Sequence, residues 1–443
     1  MVSTVVHSAD LVVPITAPSV LDGAVAVSDG RIRHVGDRDW VLGALRAAGE
    51  DAVEVRWPGV LLPGLVNAHT HLQYTGMAEL GQRIYSGFDD WVRAFNAVYD
   101  DALLDWGTDA AEGARLSLSH GTTCLADVVT DAAAASALHD AGLHGVAYWE
   151  VMDWSNEDWS KRGPASVLAA VDAMPDTPGV GISPHAPYSL DSTPLLELPD
   201  LARHRGMRIH IHLGESLMEA VLADADSAVP PVATAGLWRD AAATSFTALR
   251  ADGRRVSATA FVDELGVLGP DCHIAHGVFL GAEDRRRLRA RGTAVALCPR
   301  SNAVIGLPEP PVAAYLSEGN LVAVGTDSLS SSPSLDILGE LAVLERIARD
   351  QGYHRPDLSE RLLRAATLGG AMALGLATGR DRVGQLQAGA VADMVVLDVP
   401  VTDIDSTLDE VVRSGAGRQL ATLVDGVVRW VSPRAQEIID AAL

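Results

Sequence analysis

Between residues 58 and 378 the chain alternates short apolar runs with Ala/Leu-rich stretches, and it does so eight times. The runs at 59–66, 121–128, 143–151, 178–184, 207–213, 271–276, 293–298 and 320–326 have the length and composition of buried strands. Segments between them, such as 131–142, 191–206, 281–291 and 334–350, read as helices. Strands alternating with helices imply parallel βα units, and eight such units imply an α/β fold closed as a (β/α)8 barrel of the TIM type. The two ends have a different texture. Asp-Gly turns between β-rich runs mark DGAVAVSDGRIRHVG near the N-terminus, and GQLQAGAVADMVVLDV and ATLVDGVVRWV return to that style near the C-terminus. The expected organisation is one half of a small β-sandwich at 1–57, the barrel at 58–378, and the other half of the sandwich with a C-terminal helix at 379–443.

A barrel of this kind draws its chemistry from the C-terminal ends of its strands. Histidines and acids fall there. His69 and His71 follow the first run, His185 the fourth, and His212, His276 and Asp327 end the fifth, sixth and eighth. In extended backbone residues i and i+2 share a face, so the imidazoles of His69-Thr-His71 converge. Nitrogen ligands in that arrangement suit zinc, iron or manganese. In RIHIHLGES, His210 and His212 share a face; His212, nearer the strand end, is taken as the ligand and His210 as a deeper group. In HIAHGV the two histidines are three apart and face opposite ways on a strand. His276 is the functional candidate, and His273 is assigned an outward or structural place. Asp327, in AVGTDSLSSSPS, ends a buried strand, where a carboxylate stays ionised only if paired or metal-bound. The serines between Ser328 and Ser332 suit the capping of the next helix, and Ser328, beside Asp327, is also a candidate substrate contact. Two long loops at the same end, 152–163 and 214–255, are expected to shape a pocket.

Bulk properties exclude other classes. A net charge of −24 repels phosphate backbones, so nucleic acid is not an expected partner. No apolar run is long enough to span a bilayer, and no basic residue precedes the first apolar stretch as in a secretory leader. The 3 cysteines, Cys124, Cys272 and Cys298, are widely spaced and form no CxxC pair, which fits a reducing cytoplasm. Lys161 is the only lysine among 34 basic residues and follows Ser160, so there is no P-loop.

PGLVNAHTH, IHLGES, IAHGV and VGTDS, in that order, resemble the amidohydrolase superfamily and its aminohydrolase branch. The resemblance runs over essentially the whole chain, including the terminal signature from Gly384-Gln385-Leu386 to Asp393. Binuclear members bridge two metals with a carboxylated lysine after strand four. Here that strand leads into SPHAPYS with no lysine, which implies one divalent metal, held by His69, His71, His212 and Asp327. Within the branch, SPHAPYS, CPRSNAVIG and GTDSLSS are most similar to 6-amino-6-deoxyfutalosine deaminases of the alternative menaquinone pathway, and also to S-adenosylhomocysteine and methylthioadenosine deaminases. Adenosine, guanine and cytosine deaminases and triazine chlorohydrolases of the branch are the other options, and a metal-binding barrel without catalysis is the remote one. The implied reaction is hydrolysis of a 6-aminopurine nucleoside to its 6-oxo form. In it Asp327 takes the proton of the attacking water, His276 orients that water, and Glu215 protonates the ring nitrogen beside C6. The resemblance makes His185 and Trp91 candidate substrate contacts; Gln73, two residues beyond the histidine pair, is a candidate for the base edge, and Arg83 and Arg300 are candidates for a substrate carboxylate. The ribose-binding acid of the relatives has only Asp100 and Asp101 as nearby counterparts. A homodimer is an option that the resemblance leaves open.

Overall fold

The computed structural model describes residues 4–99, 104–216, 219 and 257–442. The loop expected at 214–255 lies, apart from its first residues and Glu219, outside the described residues, as do Asp100 and Asp101. The chain forms two compact units, one of Met1–Asn67, Arg115–Leu125 and Asp336–Leu443, the other of Ala68–Ala114 and Ala126–Leu335.

The first unit holds a sheet built from both chain ends. Its strands are β1 (Thr4–Val12), β2 (Val20–Ser28), β3 (Arg31–Asp37), β4 (Ala52–Pro63), β13 (Met394–Leu397), β14 (Gln419–Val424) and β15 (Val427–Val431). They form one seven-stranded sheet in the order β15-β14-β13-β4-β1-β2-β3. Alternation along the strands gives the sheet two apolar faces. Val25, Trp57, Leu61, Met394 and Val396 pack on one, with Ile438 and Ile439 of the C-terminal helix Pro433–Ala442. Val6, Ala24 and Ala26 pack on the other, against Val41 and Leu45 of the helix Arg38–Ala47.

The second sheet has eight strands in sequential order: β5 (Leu65–Thr70), β6 (Thr122–Val129), β7 (His144–Val151), β8 (Val180–Pro184), β9 (Arg208–Leu213), β10 (Cys272–His276), β11 (Ala294–Leu297) and β12 (Val322–Val324). The strands from β7 to β12 pair in parallel. Just past β12, the Asp327 N–H donates to the His69 carbonyl at 3.0 Å, which closes the seam onto β5. The result is a (β/α)8 barrel.

Seven of its strands lie where the apolar runs put them. The first does not. Residues 59–63 belong to β4, whose Leu62 pairs with Val395 of β13, and the barrel begins after Gly64. The run is apolar on both sides of this break, so hydropathy cannot mark it. Gly64 can: a Cβ there would lie 2.2 Å from Thr123 Oγ1, and its N–H donates to the Asp393 carbonyl at 2.9 Å. His69 therefore lies within strand β5, and only His71 follows it.

Candidate metal centre and substrate cavity

The β9–β10 register explains the inner ring. Ala275 pairs with His212, and His273 pairs with His210. His210 and His273 are thus on one rung, both facing the barrel interior, with ring centroids 4.4 Å apart. This corrects the outward option for His273, which is fully buried and whose Nε2 meets the Ala68 carbonyl at 3.0 Å. Alternation alone would then turn His276 out. It does not, because His276 has φ +73°, a left-handed conformation that rotates its side chain inward at the strand end. Asp327, at the end of β12, has φ +61°.

Four side chains meet at the centre of the barrel mouth. His71 Nε2 lies 3.3 Å from His212 Nε2, His69 Nε2 lies 3.5 Å from Asp327 Oδ1, and His71 Nε2 lies 3.8 Å from the same oxygen. Ligands at about 2.1 Å from a tetrahedral zinc are about 3.4 Å from one another. The spacing of this donor set therefore fits one ion. Ligand atoms of His69, His276 and Asp327 also cluster, so His276 borders the same centre.

Neighbouring groups fix which nitrogen is offered. His212 Nδ1 is 2.9 Å from the His185 carbonyl and carries the proton, which leaves Nε2 as a lone pair toward His71. His69 Nδ1 is occupied by His210 Nε2 at 3.0 Å, which turns its Nε2 toward Asp327. Burial pushes the imidazole of His71 down to about 3 and lowers His69, His212 and His276 as well. All four are neutral donors near pH 7. Burial would raise the Asp327 carboxyl, but the adjoining His69 imidazole outweighs that and holds it well below the usual carboxylate range. Its Oδ2 accepts from Ser301 Oγ at 2.7 Å and Ser331 Oγ at 2.8 Å, and its Oδ1 from the Ser328 N–H at 2.7 Å.

A cavity of about 500 Å³ opens over this centre. Glu215 is on its wall, 3.5 Å from His276 Nε2, and accepts from the Tyr188 hydroxyl at 3.2 Å. Burial pushes the Glu215 carboxyl up to about 7, opposed by His212 and helped by the charge of Asp327. It can therefore hold a proton near neutrality. His276 Nδ1 sits 3.3 Å from Asn302 Oδ1, which leaves Nε2 facing the cavity centre.

His185, Trp91 and Ser328 also line the cavity. His185 Nδ1 meets Ser189 Oγ at 2.7 Å, and the Trp91 indole N–H donates to the Ser330 carbonyl at 3.0 Å. Gln73 and Arg300 are not brought to this wall. Both ends of the Gln73 amide bind Thr130, at 2.6 Å to its Oγ1 and 3.0 Å from its N–H. Arg300 donates to Ser334 Oγ at 2.9 Å. Trp154 and Trp159 pack edge to face on each other within their own segment, with centroids 5.6 Å apart. The motif CPRSN does contribute, through Ser301 and Asn302 rather than its arginine.

Apart from Trp91, the residues of two further features were not among the sequence candidates. Tyr74, Phe88, Trp91, Phe95 and Tyr99 form an aromatic wall, with the Trp91 and Phe95 rings 5.3 Å apart. Glu150, at the end of β7, also lines the cavity, and burial pushes its carboxyl up to about 8. Among the described residues, the wall carries no arginine or lysine.

With this geometry established, comparison with known proteins gives the family. The model of the family described as "Amidohydrolase family" matches residues 60–429. The chain belongs to the amidohydrolase family. A curated relative is a 5-methylthioadenosine/S-adenosylhomocysteine deaminase of Nitratidesulfovibrio vulgaris, 28% identical over 89% of this chain and 84% of that protein. The same fold occurs in a zinc-bound adenosine deaminase from Xanthomonas campestris, with TM-score 0.76 and 23% identity over 99% of this chain and 98% of that one. It also occurs in Helicobacter pylori aminofutalosine deaminase in complex with methylthio-coformycin, with TM-score 0.76 and 20% identity over 96% of this chain and 99% of that one. Among the described residues, no helix of this amidohydrolase is long and apolar enough to cross a membrane.

Proposed function

We propose that this amidohydrolase is a hydrolytic deaminase of a 5′-substituted adenine nucleoside, with 6-amino-6-deoxyfutalosine as its first candidate substrate. Water adds at C6 of the purine, the 6-amino group leaves as ammonia, and the 6-oxo purine remains. The observation that carries the reading is one acid that can hold a proton near pH 7, Glu215, facing the same cavity as a carboxylate held ionised, Asp327. That pairing supplies a donor and an acceptor to one reacting carbon.

His69, His71, His212 and Asp327 are the residues that would hold a divalent ion, zinc by preference of its donor set. When bound, such an ion supplies Lewis acidity that makes water ionise near neutrality. Asp327, clamped by Ser301, Ser331 and the Ser328 N–H, takes the proton of the attacking water. His276, its Nδ1–H directed to Asn302, turns Nε2 toward that water. Glu215 protonates the ring nitrogen next to C6, then passes protons to the departing amine. His185 and Trp91 border the base and sugar, and the aromatic wall suits an aryl or thioether group on the 5′ carbon.

Methylthioadenosine is the second reading. The relatives named as 5-methylthioadenosine/S-adenosylhomocysteine deaminases favour it, and a neutral thioether needs no cation from a wall that, as described, has none. Ammonia release from aminodeoxyfutalosine, methylthioadenosine, S-adenosylhomocysteine, adenosine, guanine and cytosine separates these readings. The highest kcat/KM is expected for aminodeoxyfutalosine. A zinc-loaded enzyme that releases no ammonia from any adenine nucleoside, or that releases halide from a chlorotriazine instead, overturns the proposal.

A further inference from the structure

Glu219, four residues after Glu215, has a buried carboxylate with an unusual set of donors. Its Oε1 accepts from the Gly214 N–H at 2.7 Å. Its Oε2 accepts from the Glu215 N–H at 3.0 Å, the Ser216 N–H at 2.9 Å and the Ser216 hydroxyl at 3.2 Å. Three successive backbone N–H groups thus converge on one anion, the concave nest that short chain segments form around bound anions. The curl depends on Gly214, which has φ +69° and whose added Cβ would lie 2.0 Å from Leu280 Cδ1.

This arrangement is costly. Burial pushes the Glu219 carboxyl up to about 7 against those N–H bonds. A second acid, Glu215, lies in the same segment and raises it further. What the carboxyl oxygens hold is the backbone immediately before, at and after Glu215. That backbone sets where the Glu215 side chain reaches His276 and the Tyr188 hydroxyl.

The geometry points to Glu219 as the positioning residue for the proton donor Glu215: its carboxylate fixes the loop so that the Glu215 carboxyl faces the reacting ring nitrogen. The inference rests on the reading of Glu215 as the acid. Glu219 itself touches no reacting atom.

A double-mutant cycle tests it. Glu219→Gln leaves an amide NH2 against one of the N–H donors, so the nest loses a bond and the loop shifts. The expected result is a kcat lower by about 30- to 100-fold, the scale of a misplacement of about 1 Å, with KM and bound metal near the wild-type values. In a Glu215→Gln background the same change is expected to cost less than about twofold, because no acid remains to be positioned. If Glu219→Gln does not fold, Glu219→Asp takes its place; it keeps the charge but is one methylene too short for all three N–H groups, and the same pattern is expected. Equal losses in both backgrounds, or a parallel loss of bound metal and Tm, would make Glu219 a fold residue only and overturn the inference. So would a Glu219 variant with wild-type kcat while Glu215→Gln is inactive. A Glu215→Gln enzyme with undiminished turnover is a different failure, that of the acid reading itself.

Discussion

Removing the serine clamp on Asp327 separates orientation of this carboxylate from its presence. Oδ2 receives two hydroxyl bonds, from Ser301 at 2.7 Å and Ser331 at 2.8 Å, and all three residues are buried. A hydrogen bond to a charged acceptor contributes about 1.5–3 kcal/mol. Ser301→Ala leaves Ser331 in place, so a loss near the lower figure, about tenfold in kcat/KM, is expected. Ser301→Ala/Ser331→Ala strips both donors from Oδ2 but keeps the backbone bond to Oδ1 at 2.7 Å. Two bonds at about 1.5 kcal/mol each give about 3 kcal/mol, or roughly 150-fold. Alanine is close to serine in volume, so the fold should survive. The assay is ammonia release under saturating zinc, with bound metal measured by elemental analysis on the same samples. A double variant that binds a full metal equivalent and stays within about threefold of wild type would refute the idea that the clamp orients Asp327 for proton transfer.

Three other changes probe different parts of the structure. Gly325→Ala places a Cβ 2.7 Å from His69 Cβ and 2.9 Å from Cys298 Sγ. It is expected to cost about 1–3 kcal/mol in unfolding free energy and to weaken metal retention; unchanged denaturant midpoints would contradict this. Asp127 accepts the Leu72 N–H at 2.8 Å, and burial pushes its carboxyl up to about 8. The folded chain therefore keeps a proton that the unfolded chain releases near pH 4, so the site's contribution is full below about pH 4 and is lost as pH rises toward 8. Asp127→Asn should raise Tm at pH 8 relative to wild type and flatten its decline between pH 5 and 8; parallel Tm curves would count against the shift. Stripping metal with a chelator is expected to abolish turnover and lower Tm, and added zinc to restore both; full activity in a metal-free sample would rule out the centre.

The barrel was legible because each βα unit is local: a run of apolar residues and the helix after it are read without knowing what they touch. His69, His71 and His212 were legible for the same reason, since i, i+2 alternation is a property of the strand itself. The break at Gly64 was not, because Pro63 and Leu65 look equally apolar on either side of it and the partner strand, β13, comes more than 300 residues later. Arg300 drew attention by its charge, yet the neighbouring Ser301 and Asn302 reach Asp327 and His276. Pro299 opens a helix there, and it is the first turn of that helix that brings both side chains to the barrel mouth. Gln73 stands next to the histidine pair in sequence, but its amide is satisfied by Thr130, a residue on the segment after β6.

His276 and Asp327 show why the site resists local rules. Both are non-glycine residues in the left-handed region, at φ +73° and +61°. Each conformation costs on the order of 1–2 kcal/mol, and although Asp and His adopt it more often than most residues, nothing in the local sequence marks these positions for it. Both stand where a barrel strand stops. There the backbone is held by its neighbours instead of its own ladder: Gly277 N–H donates to the Leu213 carbonyl at 3.0 Å, and Asp327 N–H to the His69 carbonyl at 3.0 Å. The strain is therefore borne by the barrel's closure, and in return the His276 side chain, which alternation would turn away, is aimed inward. If that is right, relaxing the backbone at either position should impair the centre even with the side-chain chemistry intact elsewhere. The strand ends are where sequence periodicity stops being informative because they are where the barrel, and not the strand, decides direction.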